Sequence, residues 1–449
     1  MTSSAPLRIA IVGAGISGLS AAWLLSQRHE VTVYEKAHRV GGHSNTVLVP
    51  LDGRQIPVDT GFIVFNPETY PNFVALLRVL GAKSEPSDMS LGVSIDRGKV
   101  EYSGSNLNAL FGQRSNLVRP GFWSMLADLM RFYRQATRDA KRLSDEGLSL
   151  GDYLARGGYG ARFRDQHILP MAGAIWSATP EDILAYPVAS FLRFHDNHGL
   201  LQLSGRPIWR TVTGGSREYV TLLTRPLADR IRRGVDIACI ERAGGKTIVV
   251  ETDGTRDTFD HVVIATHADE ALGLLAEPTE EERALLAAFR YSRNKAILHT
   301  DDSLMPRRRS VWSSWNYIGG EATPDRVCVT YWMNRLQNLP TKTNFFVTLN
   351  PQRAPRAGSI VTTETYDHPI FDAAAIAAQR RLWRLQGALN TWFCGAHFGA
   401  GFHEDGLQAG LAVAEQLGGV KRPWMVANES GRIHVTPLAA AQPSLSAAA

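Results

Sequence analysis

The sequence of 449 residues is poor in cysteine: Cys239, Cys328 and Cys394 lie far apart along the chain. No CxxC pair occurs, so the sequence excludes a disulfide framework and is typical of a reducing compartment. Long apolar runs are scarce as well. The most apolar stretch, residues 9–25, is interrupted by glycines and is too short for a membrane-spanning helix. We interpret it as a buried strand followed by a helix.

An excess of charge of one sign is also missing. The chain has 48 Lys and Arg against 43 Asp and Glu, a net charge of +5, which does not suggest a nucleic-acid-binding protein. With 44% hydrophobic and 20% charged residues, the composition is that of a globular protein of two or three domains. Residues 1–6 carry no basic side chain ahead of the first apolar run, so we expect no secretory signal and a cytoplasmic location.

Metal-binding and hydrolytic patterns are not found either. His195 and His198 lie close in sequence, but no cysteine cluster, HExxH motif or carboxylate-rich loop accompanies them. A GxSxG motif is absent too. The sequence therefore predicts no metal site.

The first forty residues contain a strand, a glycine loop, a helix and a second strand in that order. A β-rich run over residues 7–12 leads into the loop GAGISG at 13–18, and a helical stretch follows over 19–27. The second β-rich run, residues 31–34, ends at Glu35. This order is the fingerprint of a dinucleotide-binding unit.

Four residues of the loop, and Glu35 after the second strand, have roles that follow from the geometry of dinucleotide binding. Gly13 permits the tight turn, Gly15 lets a pyrophosphate approach the backbone, and Gly18 lets the helix pack closely on the strand. Ser17 lies in the first turn of the helix, where free N–H groups and the helix dipole favour phosphate. Glu35 is placed to accept hydrogen bonds from a ribose, and its charge disfavours the 2′-phosphate of NADP.

A second glycine pair follows where an NAD dehydrogenase would normally continue into another helix. The segment RVGGHSNT resembles the flavin-binding GG motif, RxGGRxxT, of the amine oxidase and carotenoid desaturase superfamily. The match retains Arg39, Gly41, Gly42 and Thr46, and it departs at His43, where many members have arginine. The resemblance implies that the dinucleotide is FAD.

The resemblance returns in three later segments. Residues 58–62 look like the short acidic-glycine segment near the flavin, and residues 213–216 look like the central GG-to-helix element. Residues 391–406 look like the C-terminal flavin motif, which is followed by a predicted helix over 407–417. The loop pattern and the resemblance together give these candidate cofactor-binding residues: Gly13, Gly15, Ser17, Gly18, Glu35, Lys36, Arg39, Gly41, Gly42, His43, Asp59, Gly61, Gly395, Phe402, Glu404 and Asp405.

The resemblance implies an α/β fold in which a Rossmann-type FAD-binding domain is interleaved with a mixed α+β substrate domain, as in the amine oxidases. Three strands over 235–240, 247–252 and 261–266 are expected to form a small sheet that returns the chain to the FAD-binding domain. We expect the following ranges: 1–94, 211–284 and 385–420 for the FAD-binding domain, 95–210 and 285–384 for the substrate domain, and 421–449 for a C-terminal tail with a flexible end.

Four strings resemble one bacterial branch of the superfamily more closely: DTGFIVFNPETYP, NHGLL, RTVTGGSREYV and YWMNRLQNL. That branch is associated with methyltransferases of the cyclopropane fatty acid synthase type and with methyl-branched and furan fatty acids. The resemblance implies a phospholipid acyl chain or another apolar molecule as substrate, a methyltransferase as partner, and peripheral contact with the inner membrane surface.

Three residues are candidates for chemistry beside the flavin. Lys295 resembles the lysine that amine oxidases hold, through a water, against flavin N5, and we expect it buried at a strand start with a lowered pKa. His198 and His397 are candidate bases. A surface lysine and two structural histidines are the alternatives. Phe402 takes the place of a cage wall where many amine oxidases have tyrosine, which argues against an amine substrate.

One amphipathic stretch, residues 120–134, permits two interpretations: a membrane-surface helix at the mouth of a lipid tunnel, or a core-facing helix. The basic cluster at 307–309 permits membrane contact or a solvated loop. For function, the sequence favours FAD-dependent desaturation of a methyl-branched acyl chain. Its rivals are an amine oxidase and a non-catalytic FAD-holding partner of a lipid methyltransferase.

Overall fold

The computed structural model describes residues 5–143, 147–202, 205–320 and 327–437. These residues form two compact units, each assembled from separate stretches of chain. The first unit consists of the described residues of Met1–Arg39, Pro226–Ala287 and Ala377–Ala449. The second consists of the described residues of Val40–Arg225 and Ala288–Ile376.

The described chain contains runs of strands and runs of helices as well as alternating elements. The strands are β1 Arg8–Val12, β2 Glu30–Glu35, β3 Thr46–Leu51, β4 Arg54–Asp59, β5 Val64–Phe65, β6 Ser84–Pro86, β7 Leu91–Ile95, β8 Val100–Ser103, β9 Arg210–Val212, β10 Ile231–Arg233, β11 Ile237–Ala243, β12 Lys246–Glu251, β13 Arg256–Phe259, β14 His261–Ile264, β15 Arg290–His299, β16 Trp315–Gly319, β17 Val329–Trp332, β18 Phe346–Leu349, β19 Ile360–Ile370 and β20 Thr391–Phe393. The helices are α1 Ile16–Leu25, α2 Pro71–Leu80, α3 Leu107–Leu110, α4 Pro120–Asp139, α5 Leu150–Arg156, α6 Ala161–Phe163, α7 Leu169–Trp176, α8 Pro180–Ala185, α9 Val188–Asn197, α10 Arg217–Thr224, α11 Ala268–Leu274, α12 Glu280–Leu286, α13 Met333–Leu336, α14 Ala373–Gln379 and α15 His403–Gly418.

The first unit is built on a five-stranded sheet in the order β10-β2-β1-β14-β20, and all of its strand pairs are parallel. Residues Ile9, Ala10 and Ile11 of β1 are fully buried, as expected for a central strand of a parallel sheet that is covered on both faces. A separate antiparallel sheet has the order β11-β12-β13. This arrangement confirms the predicted α/β class with a Rossmann-type sheet.

Helices α1 and α15 cross closely in the first unit because α15 carries glycine at the contact. A Cβ added at Gly410 would overlap the carbonyl oxygen of Ser17, and one at Gly406 would lie 2.7 Å from Ser17 Oγ. The glycines therefore bring the first turns of the two helices together.

The second unit contains a seven-stranded sheet in the order β19-β15-β18-β17-β16-β7-β8. Its pairs are antiparallel except for β7 with β16. We expect residues 40–94 and 211–225 in the FAD-binding domain, whereas the structure groups them with this unit. The reason is strand pairing: β7 pairs with β16 of the seven-stranded sheet, and β5 and β6 are joined to each other through β9.

One local expectation is corrected. The last of the three predicted strands, β14, does not belong to the small sheet but pairs with β1, and the unpredicted β13 completes the small sheet instead. The start of the predicted tail is packed: Arg422 pairs with Glu415 at 2.8 Å, and the ring of Trp424 stacks on Trp23 with centroids 6.0 Å apart. The predicted flexible end, 438–449, lies outside the described residues.

Helix α4 buries Phe122, Met125 and Phe132, so the core-facing interpretation of the amphipathic stretch is correct for this helix. Across the described ranges, none of the helices has the length and apolar character needed to cross a membrane. In the same part of the chain, no cluster of His, Cys, Asp and Glu side chains is suited to hold a metal ion.

Candidate functional site

The glycine loop of the first unit joins β1 to α1 in a tight turn. The turn is crowded at Gly13 and Gly18 and open at Gly15. Gly13 has a φ of +103°, and a Cβ there would lie 2.8 Å from the carbonyl oxygen of Ala265. A Cβ at Gly18 would overlap the carbonyl oxygen of Gly13. At Gly15, the N-cap of α1, an added Cβ meets no heavy atom within 4 Å. Gly13 and Gly18 therefore close the turn, while Gly15 keeps the helix N-terminus accessible to a phosphate.

Glu35 holds this loop and faces it with a carboxylate. Its two oxygens accept hydrogen bonds from the backbone N–H groups of Ala14 and Ala37, each at 2.9 Å. Each carboxylate oxygen has further acceptor capacity, so Glu35 can also bind ribose hydroxyls. The neighbouring Lys36 pairs with Glu270 at 2.6 Å, and this hydrogen bond raises the pKa of Lys36.

A second helix N-terminus, that of α15, belongs to the same unit. Phe402 is its half-buried N-cap residue, and its N–H donates to Asp405 Oδ2 at 2.8 Å. Asp405 also pairs with Arg432 at 2.6 Å, and Glu404 accepts from Gln408 Nε2 at 3.0 Å. Both acids are fully buried. The structure thus gives Glu404 and Asp405 partners within the protein, and Asp405 caps the helix.

Gly395 and His397 precede α15 and lie together. A Cβ at Gly395 would lie 2.5 Å from the His397 ring, so this close packing requires glycine. His397 is buried, and its carbonyl accepts from Gln379 Nε2 at 2.9 Å. Burial lowers the pKa of His397 to about 3, so the ring is neutral at physiological pH.

The glycine pair that follows Arg39 lies in the second unit. Gly41 and Gly42 have φ values of +107° and +56°, and a Cβ at Gly41 would lie 2.7 Å from the Ser44 carbonyl oxygen. His43 packs its ring on Tyr366 and His368, with centroid distances of 5.0 and 5.6 Å.

The segment of Gly61 fixes the backbone of His43. The N–H of Phe62 donates to the His43 carbonyl at 2.7 Å, and a Cβ at Gly61 would overlap that carbonyl. Gly61 therefore allows the loop to approach the GG segment, and the ring at His43 packs on aromatic neighbours.

Asp59 is fully buried and has protein partners on both carboxylate oxygens. It accepts from Thr46 Oγ1, from the N–H and Oγ of Ser216 at 3.0 and 2.8 Å, and from Gln337 Nε2 at 2.7 Å. Burial raises the pKa of Asp59 to about 6, although the hydrogen bonds from Thr46 and Ser216 act in the opposite direction. Its observed role is to connect the β3–β4 hairpin, the start of α10 and the end of α13.

The three candidate catalytic residues belong to three different segments of the fold. Lys295 is exposed and is the sixth residue of β15, so the expectation of a buried lysine at a strand start is wrong. His198 follows α9, is buried, and donates through Nδ1 to the Phe194 carbonyl at 2.8 Å. This bond assigns the lone pair to Nε2. In the second unit Lys295 and His198 lie on different elements, and His397 belongs to the first unit.

Sequence reasoning missed the residues that complete these local arrangements. Ser216, Gln337 and Tyr366 each contact a predicted site residue from a distant segment. A local signal existed for Ser216, because it follows the glycine pair at 214–215 and precedes α10. Gln337 lies in the string YWMNRLQNL, which gives it no role by itself, and no local pattern marks Tyr366.

Buried histidines make the fold sensitive to acid. Burial lowers the pKa of His167, His195 and His299 to about 4 and that of His397 and His403 to about 3. The unfolded chain therefore binds more protons than the folded chain between about pH 6.5 and pH 4, so stability is lost as the pH falls through this window. We expect each histidine to contribute about 1–2 kcal/mol to the loss between pH 7 and pH 5.

Denaturant unfolding from pH 7 to pH 5 measures this effect. His195→Gln removes one titrating group, so it should flatten the pH dependence of the unfolding free energy, whatever its effect at pH 7. The exposed Lys295→Gln serves as the control and should leave the slope unchanged. An equal slope in wild type and His195→Gln would contradict the prediction.

Comparison with known proteins agrees with this geometry. Residues 16–342 match the family described as flavin containing amine oxidoreductase. A putative flavin-containing monoamine oxidase of Mycobacterium tuberculosis is 26% identical over 260 residues, which are 55% of this chain and 54% of that relative. The chain thus spans about half the length of this curated relative.

Two solved structures show the same fold at low identity. Putrescine oxidase bound to putrescine has a TM-score of 0.67 at 14% identity, covering 92% of this chain and 99% of that one. A CLA-producing fatty acid isomerase from P. acnes has a TM-score of 0.64 at 16% identity, covering 93% and 99%. The open approach at Gly15, the adjoining helix N-terminus and Glu35 are the parts that an adenine dinucleotide requires. The chain belongs to the flavin containing amine oxidoreductase family, and its cofactor is FAD.

Proposed function

We propose that the protein is an FAD-dependent oxidoreductase that removes a hydride from an apolar substrate, and that this substrate is a methyl-branched fatty acyl chain of a lipid. Bound flavin supplies the two-electron acceptor for the hydride. A second hydrogen leaves the adjacent carbon as a proton, and the acyl chain gains a C=C bond. The tautomer of His198, with its lone pair on Nε2, makes this residue our candidate proton acceptor.

The observation that carries the choice of substrate is the state of the buried carboxylates in the second unit. Besides Asp59, the fully buried acids among its described residues are Glu101 and Asp301. Glu101 accepts from the N–H of Arg307 and from Arg308 Nη1, each at 2.7 Å. Asp301 pairs with Arg356 at 2.9 Å. All three carboxylates are thus engaged by protein donors, so none is available to an ammonium group.

The energetic balance then favours an acyl chain. A buried ammonium without a counter-ion costs several kcal/mol, whereas each buried methylene gains about 0.8 kcal/mol. The fatty acid isomerase with the same fold supports the idea that this architecture accepts acyl chains.

Amine oxidation is the second candidate, because the matched family and the mycobacterial relative carry that name. The two candidates differ in which molecule reduces the bound flavin. We expect phospholipids with methyl-branched acyl chains to bleach the oxidised flavin spectrum under anaerobic conditions, and the product to have lost two hydrogens by mass spectrometry. Putrescine and monoamines should have no effect.

The matched control is the same phospholipid without the methyl branch, which should reduce the flavin more slowly. Rapid reduction by an amine, with none by the lipids, would replace the proposal by amine oxidation. No reduction by any of these compounds in FAD-loaded protein would favour a non-catalytic partner of a methyltransferase.

A further inference from the structure

The second unit exposes a group of large apolar side chains in one short stretch of chain. Leu107, Leu117, Val118 and Trp123 have exposed fractions of 76, 49, 81 and 49%. They occupy α3, the segment before α4, and the first turn of α4. We call this stretch, residues 107–123, the apolar segment. The buried face of α4 begins within this stretch, at Phe122.

Contacts within the segment join Trp123 to Leu117 and Phe111. Trp123 Nε1 donates to the Leu117 carbonyl at 2.9 Å, and the Trp123 ring lies 5.6 Å from that of Phe111, which directly follows α3. Arg119 Nη1 donates to the Lys99 carbonyl at 2.8 Å, which joins the segment to the turn between β7 and β8.

Cations predominate on this surface, although the turn between β7 and β8 also carries the half-buried Asp96. Arg97, Lys99, Arg114 and Arg119 are exposed. The one acid between residues 97 and 123 is Glu101, which is fully buried and paired with Arg308 at 2.7 Å. Arg114 donates to the Asn108 side chain and to the Phe111 carbonyl. Both acceptors are uncharged, so these two contacts leave the positive charge of Arg114 unneutralised. The combination is an exposed apolar surface bordered by cations.

We infer that the apolar segment docks on an anionic lipid bilayer. Leucine and valine side chains gain by leaving water for the acyl region, tryptophan is favoured at the membrane interface, and the arginines attract lipid phosphates. This surface differs from the helix face that the sequence suggested, because the structure buries Phe122, Met125 and Phe132 of α4. The inference extends the proposed function, since a bilayer is where a phospholipid acyl chain is found, but its test does not require turnover.

Sedimentation with vesicles tests the inference on the FAD-loaded protein. Binding to dioleoyl phosphatidylglycerol with dioleoyl phosphatidylcholine should exceed binding to pure dioleoyl phosphatidylcholine and should fall with added NaCl. Arg114→Ala and Arg119→Ala should each weaken binding about fivefold. Leu107→Ser with Val118→Ser should weaken it roughly tenfold.

Matched controls come from the first unit. Met425 is 93% exposed, and Arg283 is exposed. Met425→Ser therefore removes an exposed apolar side chain of the first unit, and Arg283→Ala removes an exposed arginine of that unit. Both should bind vesicles as wild type does. Unchanged flavin content and melting temperature in all variants exclude misfolding as the cause of any loss.

A fluorescent label reports insertion directly. Cys328 and Cys394 are buried, so in a Cys239→Ser background an environment-sensitive thiol dye at Val118→Cys should shift to the blue with anionic vesicles. The same dye at Met425→Cys should not shift. Equal shifts at both sites, equal binding to the two vesicle types, or wild-type binding by the segment variants would overturn the inference.

Binding to poly-glutamate without binding to anionic vesicles would also overturn it and would indicate an acidic protein partner. The vesicle lipids carry no methyl branch, so the result is independent of the proposed reaction. Flavin reduction by branched lipid in detergent, without vesicle binding, would refute the docking surface and leave the proposed function intact.

Discussion

Gly15→Leu is expected to give a folded protein that purifies without FAD. The Gly15 backbone has a φ of −77°, which any residue adopts, and an added Cβ meets no heavy atom within 4 Å. The protein itself therefore tolerates a side chain there. The leucine would instead occupy the space through which a pyrophosphate approaches the first turn of α1, and lost charge-assisted hydrogen bonds should cost about 3 kcal/mol or more of binding free energy.

Gly18→Leu is the informative contrast. A Cβ at Gly18 overlaps the Gly13 carbonyl and lies 3.1 Å from the Ala265 Cβ, so this variant should lose stability even as apoprotein. Flavin released on denaturation measures occupancy, and the melting temperature of the apoprotein measures the fold. A Gly15→Leu protein with full flavin, or one that fails to fold, would show that the phosphate site is assigned incorrectly.

The features that the sequence alone could specify are local ones. Gly13, Gly18 and Glu35 belong to a single strand–loop–helix–strand stretch, in which Glu35 accepts from the Ala14 N–H and Gly18 approaches the Gly13 carbonyl. The predicted cofactor follows from the same stretch and from the GG segment after it. The close approach of Ala265 to Gly13 and Gly18 comes from a distant strand and could not be predicted from this stretch.

Predictions that depended on distant segments were incomplete or wrong. Asp59 is 157 residues from Ser216 and 278 from Gln337, so its partners leave no periodic trace near position 59. Lys295 was expected to start a strand, but β15 extends to Arg290 because its earlier residues pair with β19. Strand β14 lies in the five-stranded sheet, where it pairs in parallel with β1.

The amphipathic stretch combines a feature that local sequence predicted with one that depends on distant contacts. The 3- and 4-residue spacing correctly identified an inward face on α4, since Phe122 and Tyr133 are buried. Exposure of Leu117 and Val118 just before the helix could not be predicted, because they end a short 3-10 helix, Arg114–Val118, and the next residue, Arg119, is bonded to the distant turn between β7 and β8.

Asp59→Ala should be the most destabilising single substitution that we propose. It removes the acceptor of two side-chain hydroxyls, one backbone N–H and one amide group, all in a buried environment. Leaving such donors without partners costs about 1–3 kcal/mol each when solvent cannot reach them, and partial relaxation reduces the sum. We expect a loss of about 3–5 kcal/mol in unfolding free energy of the apoprotein, as for a broken buried ion pair.

Asp59→Asn gives a sharper result because it keeps the shape. The amide oxygen can still accept from Thr46 and Ser216, but its NH2 group would face Gln337 Nε2, so two donors would meet. A loss of about 1–3 kcal/mol is expected. Adding Gln337→Glu supplies an acceptor at that position while still accepting from the Asp59 backbone N–H, a bond of 2.8 Å in the wild type.

The double variant should therefore recover part of the loss, which gives a favourable coupling energy in the mutant cycle. Denaturant unfolding of the four apoproteins measures that coupling, and flavin titration of the folded variants measures cofactor affinity. A structural Asp59 predicts changes in unfolding free energy that Gln337→Glu partly reverses. A direct FAD ligand predicts lower flavin affinity with wild-type stability and no recovery in the double variant, because Gln337 would then have no part in the effect.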